Sequence, residues 1–119
     1  MSFRIAKKEA KKSPHTQHKL GAVIVKGHRI LSTGYNEIRY SKTIGKNTLH
    51  AEAAAIRRLL DQRRLADLVG SHIFVSRWTR GGRIGMARPC DSCMDLIRSV
   101  GISRVYYTQY DGETGEIRL

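Results

Sequence analysis

Only two cysteines, Cys90 and Cys93, and only two prolines occur in the 119 residues of this chain. Two thiols three residues apart cannot build the framework of a disulfide-rich secreted domain, so the fold has to rest on a buried core, which a chain of this length can supply unaided. Low-complexity tracts, internal repeats and Pro/Ser-rich linkers are also missing, which predicts one domain over residues 1–119. No apolar run approaches the roughly 20 residues that a membrane-spanning helix needs. The basic opening MSFRIAKKEAKKS has neither an apolar h-region nor a small-residue cleavage site, so nothing in it directs export, and a cytoplasmic location is expected. Acidic residues are the last scarcity: 10 Asp and Glu stand against 22 Lys and Arg, a formal net charge of +12. Such a field concentrates phosphates, whether on free nucleotides or on a nucleic acid, although a basic surface can also do no more than keep a protein soluble.

What is present sorts into short periodic segments. Phe3, Ala6 and Ala10 recur at helical spacing among lysines, which predicts a basic amphipathic helix over residues 3–12, ending before Ser13 and Pro14. Residues 20–25 and 29–35 are apolar, β-branched runs separated by Lys26-Gly27-His28, the pattern of a β-hairpin. Residues 36–49 are polar and read as a loop. The run HAEAAAIRRLLDQRR predicts a helix from His50 to about Arg63, with Ala51, Ala54, Ala55 and Leu59 on its apolar side. A strand at residues 71–78 precedes the glycine-rich TRGGRIGMAR, expected to be a surface loop. A helix over residues 90–100 closes at Gly101, a strand follows at 103–110, and Asp111-Gly112 turns the chain into a short return strand at 116–119. The order α-β-β-α-β-α-β-(β) predicts an α/β fold, a mixed sheet with helices packed on its faces.

The two cysteines fall at i and i+3 in the first turn of the second core helix, so both sulfurs can point to one spot. A helix N-terminus is electropositive and lowers thiol pKa values, favouring the thiolates that bind zinc. Taken alone, a C-x-x-C pair serves metal binding, redox exchange or plain core filling. His50 and Glu52 open the other core helix as His-x-Glu. With His50, Cys90 and Cys93 as ligands, zinc keeps a fourth position for water, the arrangement of a catalytic rather than a structural site. Zinc lowers the pKa of bound water to about 7, and Glu52, two residues beyond the histidine, is placed to move protons to and from that water as general base and then general acid. The alternatives are a surface histidine with a carboxylate favoured by the helix dipole, or a closed structural zinc with His72, His18, His15 or His28 as fourth ligand.

His50-Ala51-Glu52 followed by Pro89-Cys90-Asp91-Ser92-Cys93 resembles the H-x-E…P-C-x-x-C signature of the zinc-dependent cytidine/deoxycytidylate deaminase superfamily. Weaker similarity extends through LGAVIVKGHRILSTGYN and RSVGISRVYYT, so nearly the whole chain is covered. The resemblance implies a three-layer α-β-α cytidine-deaminase-like fold with a mixed sheet of about five strands, one Zn2+ per subunit and hydrolytic deamination of a cytosine or adenine ring. Zinc-bound hydroxide would attack the carbon bearing the exocyclic amine, and Glu52 would protonate the neighbouring ring nitrogen and then the leaving ammonia. By the same similarity Asn36 matches a sugar-contacting position, the Ala51 N–H meets the base carbonyl, and the Arg88 carbonyl, held by Pro89, accepts from the amine. Asn36 as a turn-former at a strand end is the competing reading. Association into a homo-oligomer is also implied.

Two indications divide on the branch of the family. The sequence after the fourth strand has no room for a further crossover helix, which resembles the cytidine-deaminase type with its C-terminal hairpin, whereas ARPCDSCMDLIRSVGISRVYY reads more like the deoxycytidylate type. Arg77, Arg80, Arg83 and Arg88 precede the cysteines with no acidic residue between Asp67 and Asp91, which favours phosphate recognition over an uncharged nucleoside. The expected substrate is therefore a free cytosine nucleotide or nucleoside. The runner-up is single-stranded DNA or RNA, with Trp78, Tyr35 and Tyr40 as stacking platforms, and a non-catalytic, nucleic-acid-binding zinc domain is the reading from another class.

Overall fold

The computed structural model describes residues 2–14, 18–41, 45–79, 81–110 and 112–119, and the side chains of residues 38–48 fall outside that description. The predicted first hairpin is longer than its apolar stretch: β1 (His18–Lys26) pairs antiparallel with β2 (Arg29–Tyr35), with a shift of register between Ile24 and Val25. β1 also pairs antiparallel with β5 (His72–Thr79), which puts it inside the sheet and accounts for its continuous buried run from Gly21 to Ile24. β5 runs parallel to β7 (Arg104–Thr108), and β7 pairs antiparallel with the return strand β8 (Thr114–Arg118). The sheet order is β2-β1-β5-β7-β8, with a two-residue strand β6 (Ile84–Gly85) attached to β5.

Helices cover both faces. α2 (Ala51–Asp61) crosses β2 at Gly34, where a Cβ atom would lie 2.6 Å from both the Ala51 carbonyl oxygen and the Ala55 nitrogen, so only glycine admits this approach. α1 (Ser2–Ala10) lies against Gly21, one position along from Ala22, the strand partner of Gly34, and side chains alternate faces along a strand. α1 and α2 therefore occupy opposite faces. α4 (Asp91–Ser99) joins α2 on its face, where Ile56, Leu59, Ile97, Ile73 and Val75 are all at most 1% exposed. On the other face Phe3 of α1 meets Phe74 edge-on at 5.1 Å, and Phe74 stacks on Tyr106 at 4.6 Å. The result is the expected three-layer α/β fold with a C-terminal hairpin.

Three expectations need correction. Residues 36–49, expected as a loop, contain a second hairpin of β3 (Glu37–Ser41) and β4 (Gly45–Leu49), whose pairing is carried by the main chain in a stretch too polar to show an alternating apolar pattern. The basic glycine-rich loop contains β6, too short to have any periodicity. The alanine-rich helix ends two residues early, because Arg63 adopts a left-handed conformation (φ +57°) and Arg64 N–H bonds back to Leu59, a terminus that normally announces itself with glycine. A one-turn helix, α3 (Leu65–Leu68), follows it. Gly101, at φ +88°, ends α4 as expected. Asp111 of the predicted turn lies outside the described residues.

Candidate metal centre and its cleft

α2 and α4 begin alike. His50 and Cys90 are their N-cap residues, both extended (φ −70°, ψ 150° and φ −68°, ψ 167°), and each carbonyl accepts the first bond of its helix, from Ala54 at 2.9 Å and from Met94 at 2.8 Å. Neither side chain caps its own helix, which leaves the imidazole and the thiol to reach across the gap between the helices. Cys93, one turn into α4, points to the same place and is buried, while Cys90 is exposed; both are free thiols.

His50 Nδ1 lies 3.2 Å from Cys93 Sγ and 3.7 Å from Cys90 Sγ, and all three donor atoms fall within 4.8 Å of one another. Zinc bound at about 2.0 Å to nitrogen and about 2.3 Å to sulfur, with tetrahedral angles, would set its donors about 3.5–3.8 Å apart. The trio therefore fits one zinc. Among the described residues no fourth His, Cys, Asp or Glu joins it. His72, the strongest candidate for a closed structural site, sits on β5 against Tyr106, with ring centroids 5.8 Å apart, and His18 lies in the cleft wall; His28 occupies the β1–β2 turn, and His15 is outside the described residues.

Glu52, in the first turn of α2, is only 3% exposed. Burial pushes its carboxyl above the usual range, opposed by its own backbone N–H, by His50 and by the Cys93 thiol. A carboxyl whose pKa is raised by burial can both accept and return a proton, as proton transfer requires. The expected lowering of thiol pKa by the helix terminus does not extend to Cys93. Its burial, followed by the nearby Glu52 and Cys90, holds the thiol well above the ordinary range. Two thiols, an imidazole and a carboxyl gathered at one spot make a place where a bound cation would favour the ionised forms that burial opposes.

The trio opens onto a cleft of about 330 Å³, within the range of small-molecule sites. Its walls include His18, Leu20, Asn36, Ala51, Arg77 and Arg88 beside His50, Cys90 and Glu52. Of the residues expected to meet substrate, Asn36, Ala51, Arg88 and Arg77 are brought together here. Arg83 is not among these walls; it borders a separate open depression with Tyr110, and Arg80 lies outside the described residues. Trp78 is not an open stacking platform, since Lys7 Nζ sits 4.0 Å above its ring and its indole N–H donates to Ser76. Tyr35 is half-buried, and the Tyr40 side chain is outside the described set.

Asn36 has a task the sequence did not announce. Its side-chain amide donates to the His18 carbonyl at 2.9 Å and accepts from the Leu20 N–H at 2.9 Å, while its backbone N–H bonds to Leu20. It thus extends the β1–β2 ladder with a side chain and fixes two cleft residues, using one amide hydrogen and one lone pair and leaving one further N–H. It is neither a loose turn residue nor wholly devoted to substrate. His18 and Leu20 were missed as cleft residues; the only signal is their period-two alignment with Ala22 and Ile24.

Comparison with known proteins agrees with this geometry. The model of the cytidine and deoxycytidylate deaminase zinc-binding region matches residues 1–109. An uncharacterized deaminase from the luxG 3′ region of Aliivibrio fischeri is 37% identical over 110 residues, covering 80% of this chain and 60% of that protein, so the chain spans about three fifths of this relative. The deoxycytidylate deaminase of Mycobacterium phage D29 is 31% identical over 126 residues, with 87% and 88% of the two chains covered. In fold, the chain superposes on a cytidine deaminase from Burkholderia pseudomallei with a TM-score of 0.73 at 22% identity, covering 98% of this chain and 89% of the other. With a family match over most of its length and a His-Cys-Cys trio that fits zinc, the chain belongs to the cytidine and deoxycytidylate deaminase family of zinc-dependent enzymes.

Proposed function

We propose that the protein hydrolyses the exocyclic amine of cytosine in a free nucleotide, releasing ammonia and leaving uracil, with His50, Cys90 and Cys93 holding zinc and Glu52 moving the protons. The observation that carries the choice of a nucleotide is the cleft itself: Arg77 and Arg88 line it, and among the described residues Glu52 is the only acidic one in its walls. A phosphate gains from two guanidinium groups, whereas a neutral nucleoside gains little. The likeness to a phage deoxycytidylate deaminase supports the same choice.

Zinc, when bound, supplies the Lewis acidity that makes water nucleophilic at neutral pH. Glu52 accepts a proton from the attacking water, donates one to the ring nitrogen beside the attacked carbon, and moves a second to the departing amine, which leaves as ammonia. The first-turn N–H of Ala51 is one of the donors an α-helix leaves unpaired at its start, and it is directed at the base carbonyl. The Arg88 carbonyl, fixed by Pro89, accepts from the amine. Asn36 turns its remaining amide N–H to a sugar hydroxyl. Free thiols at the site suit a reducing, cytoplasmic setting, and a homo-oligomer is the expected assembly.

Single-stranded nucleic acid is the second reading, favoured by the +12 charge and by Tyr110, 75% exposed at the depression that Arg83 borders. One set of measurements separates the two: zinc content, then ammonia release from deoxycytidylate, cytidylate, their nucleosides and single-stranded DNA. Deamination of the nucleotides is expected, with about one zinc per chain. Glu52→Ala is expected to keep the metal and lose about 10²–10⁴-fold in turnover. An unaltered rate in that variant, or a preference for the polymer, overturns the proposal. A chelated protein that unfolds at once and never releases ammonia would instead mark a structural zinc in a binding domain.

A further inference from the structure

Arg77 is the last residue but two of β5, and its place in the cleft depends on what happens where β5 and β7 part. The two parallel strands are in register from His72 and Arg104 to Val75 and Tyr107. One residue further, Thr108 takes over the role of the ladder with its side chain. Its hydroxyl accepts the Arg77 backbone N–H at 3.2 Å and donates to the Gly85 carbonyl at 2.8 Å, while its own carbonyl accepts the Ala87 N–H at 2.9 Å. Thr108 is 2% exposed, and its bond to the Gly85 carbonyl is buried, so its loss would not readily be made good by water.

Gly85 and Ala87 lie on the short strand and segment that lead into the cleft. Gly85 pairs with Arg77 across β5 and β6, and a Cβ atom there would sit 3.4 Å from Arg77 Cγ and Cδ. The guanidinium itself donates from Nη1 to the Met86 carbonyl at 3.4 Å. Ala87 immediately precedes Arg88, Pro89 and Cys90. One buried hydroxyl thus ties the backbone of Arg77 to the strand on which its side chain rests, and the same residue ties down the approach to Arg88.

We propose that Thr108 is a positioning residue for nucleotide recognition: through Gly85 and the Arg77 backbone it holds the Arg77 guanidinium at the phosphate end of the cleft. This rests on the functional reading above. Without the hydroxyl, the Gly85 carbonyl and the Arg77 N–H lose a shared partner, β6 loosens, and Arg77 samples directions away from the phosphate. The attack on the ring, which depends on Glu52 and the zinc ligands, is left largely as it was.

The test uses zinc-loaded full-length protein and compares Thr108→Val, Thr108→Ser, Arg77→Gln and the Thr108→Val/Arg77→Gln double variant. Steady-state constants are measured for deoxycytidylate and deoxycytidine, with the dissociation constant of the product deoxyuridylate alongside. Thr108→Val is expected to raise the nucleotide KM and the product dissociation constant about 5–20-fold, with kcat within about 2–3-fold and the nucleoside KM nearly unmoved, as expected for lost ground-state binding. Thr108→Ser, which keeps the hydroxyl, should stay within about 2-fold. In the Arg77→Gln background Thr108→Val should add almost nothing, because both act on one contact.

An active wild type whose Thr108→Val variant binds nucleotide normally, loses kcat and nucleoside activity equally, or multiplies with Arg77→Gln overturns this inference alone. If Thr108→Val does not fold, Thr108→Ser and Thr108→Cys decide: a cysteine, with its weaker donor, must show the same nucleotide-selective rise or the inference fails. A zinc-loaded wild type that neither deaminates nor binds any of these compounds overturns the functional reading, and this one with it.

Discussion

Glu9 shows how much of the fold hangs on single polar groups outside the cleft. It is 5% exposed on α1, and its carboxylate pairs with Lys12 at 2.8 Å. Burial on its own raises its pKa, but hydrogen bonds from Lys12 and from Thr33 on β2, with Lys12 and Arg58 as nearby charges, outweigh that and leave it lowered. Because the folded state prefers the carboxylate, this stabilisation is fully present above the unfolded carboxyl value of about 4.3 and is lost as pH falls through the lower folded value. Glu9→Gln should therefore lower Tm by about 3–6 °C at pH 7 and flatten the fall of Tm with acid below about pH 4.5, as read by circular dichroism. Equal acid slopes for variant and wild type would mean that Glu9 is not the group responsible. Residues of this kind are hard to read in sequence. His50, Cys90, Cys93 and Glu52 stand out because metal chemistry restricts donor type and spacing, whereas Thr108, Asn36 and Glu9 act through partners such as Arg77, Leu20 and Thr33, 16 or more residues away, that no local pattern marks.

Elements were legible where burial imposes a period. The alanine face of α2, the continuous apolar run of β1 and the glycine closing α4 each carry a physical requirement that leaves a mark on residue choice. β3, β4 and β6 do not, since short or polar strands are held by main-chain bonds that any sequence can make. Gly34 is the opposite case: a residue whose meaning depends on the helix above it. With a Cβ only 2.6 Å from the α2 backbone, Gly34→Ala forces α2 outward and with it His50 and Glu52. The expected cost is about 1–3 kcal/mol in urea unfolding, typical of overpacking. Because α4 carries both cysteines, widening its gap to α2 should also weaken zinc binding, visible as faster loss of metal to a chelator. Gly34→Ser should behave likewise, since any β-carbon meets the same backbone. A stable, zinc-retaining Gly34→Ala protein would show that α2 can shift without disturbing the trio.

At the scale of the whole molecule, the sheet order places the cleft where the parallel strands β5 and β7 end, the edge at which open α/β sheets commonly bind ligands. Helical starts and cleft arginines then act on the same region. The charge was plain from composition, but its direction was not, because the arginines just before Cys90 divide in space: Arg77 and Arg88 line the cleft while Arg83 borders another depression. If the +12 field serves to gather a small anion, its effect must fade with salt as the Debye length contracts from about 10 Å at 0.1 M to about 3 Å at 1 M. Raising NaCl from 50 to 500 mM should increase the nucleotide KM by about 3–10-fold, with little change in kcat or in the nucleoside KM. A polynucleotide held by many phosphates would lose affinity far more steeply, by about 10³-fold or more over a smaller interval of salt. The slope of KM against salt therefore measures how many phosphates the protein grips. A shallow slope marks a mononucleotide, a steep one a polymer, and a nucleotide KM indifferent to salt would leave the basic surface with solubility as its role.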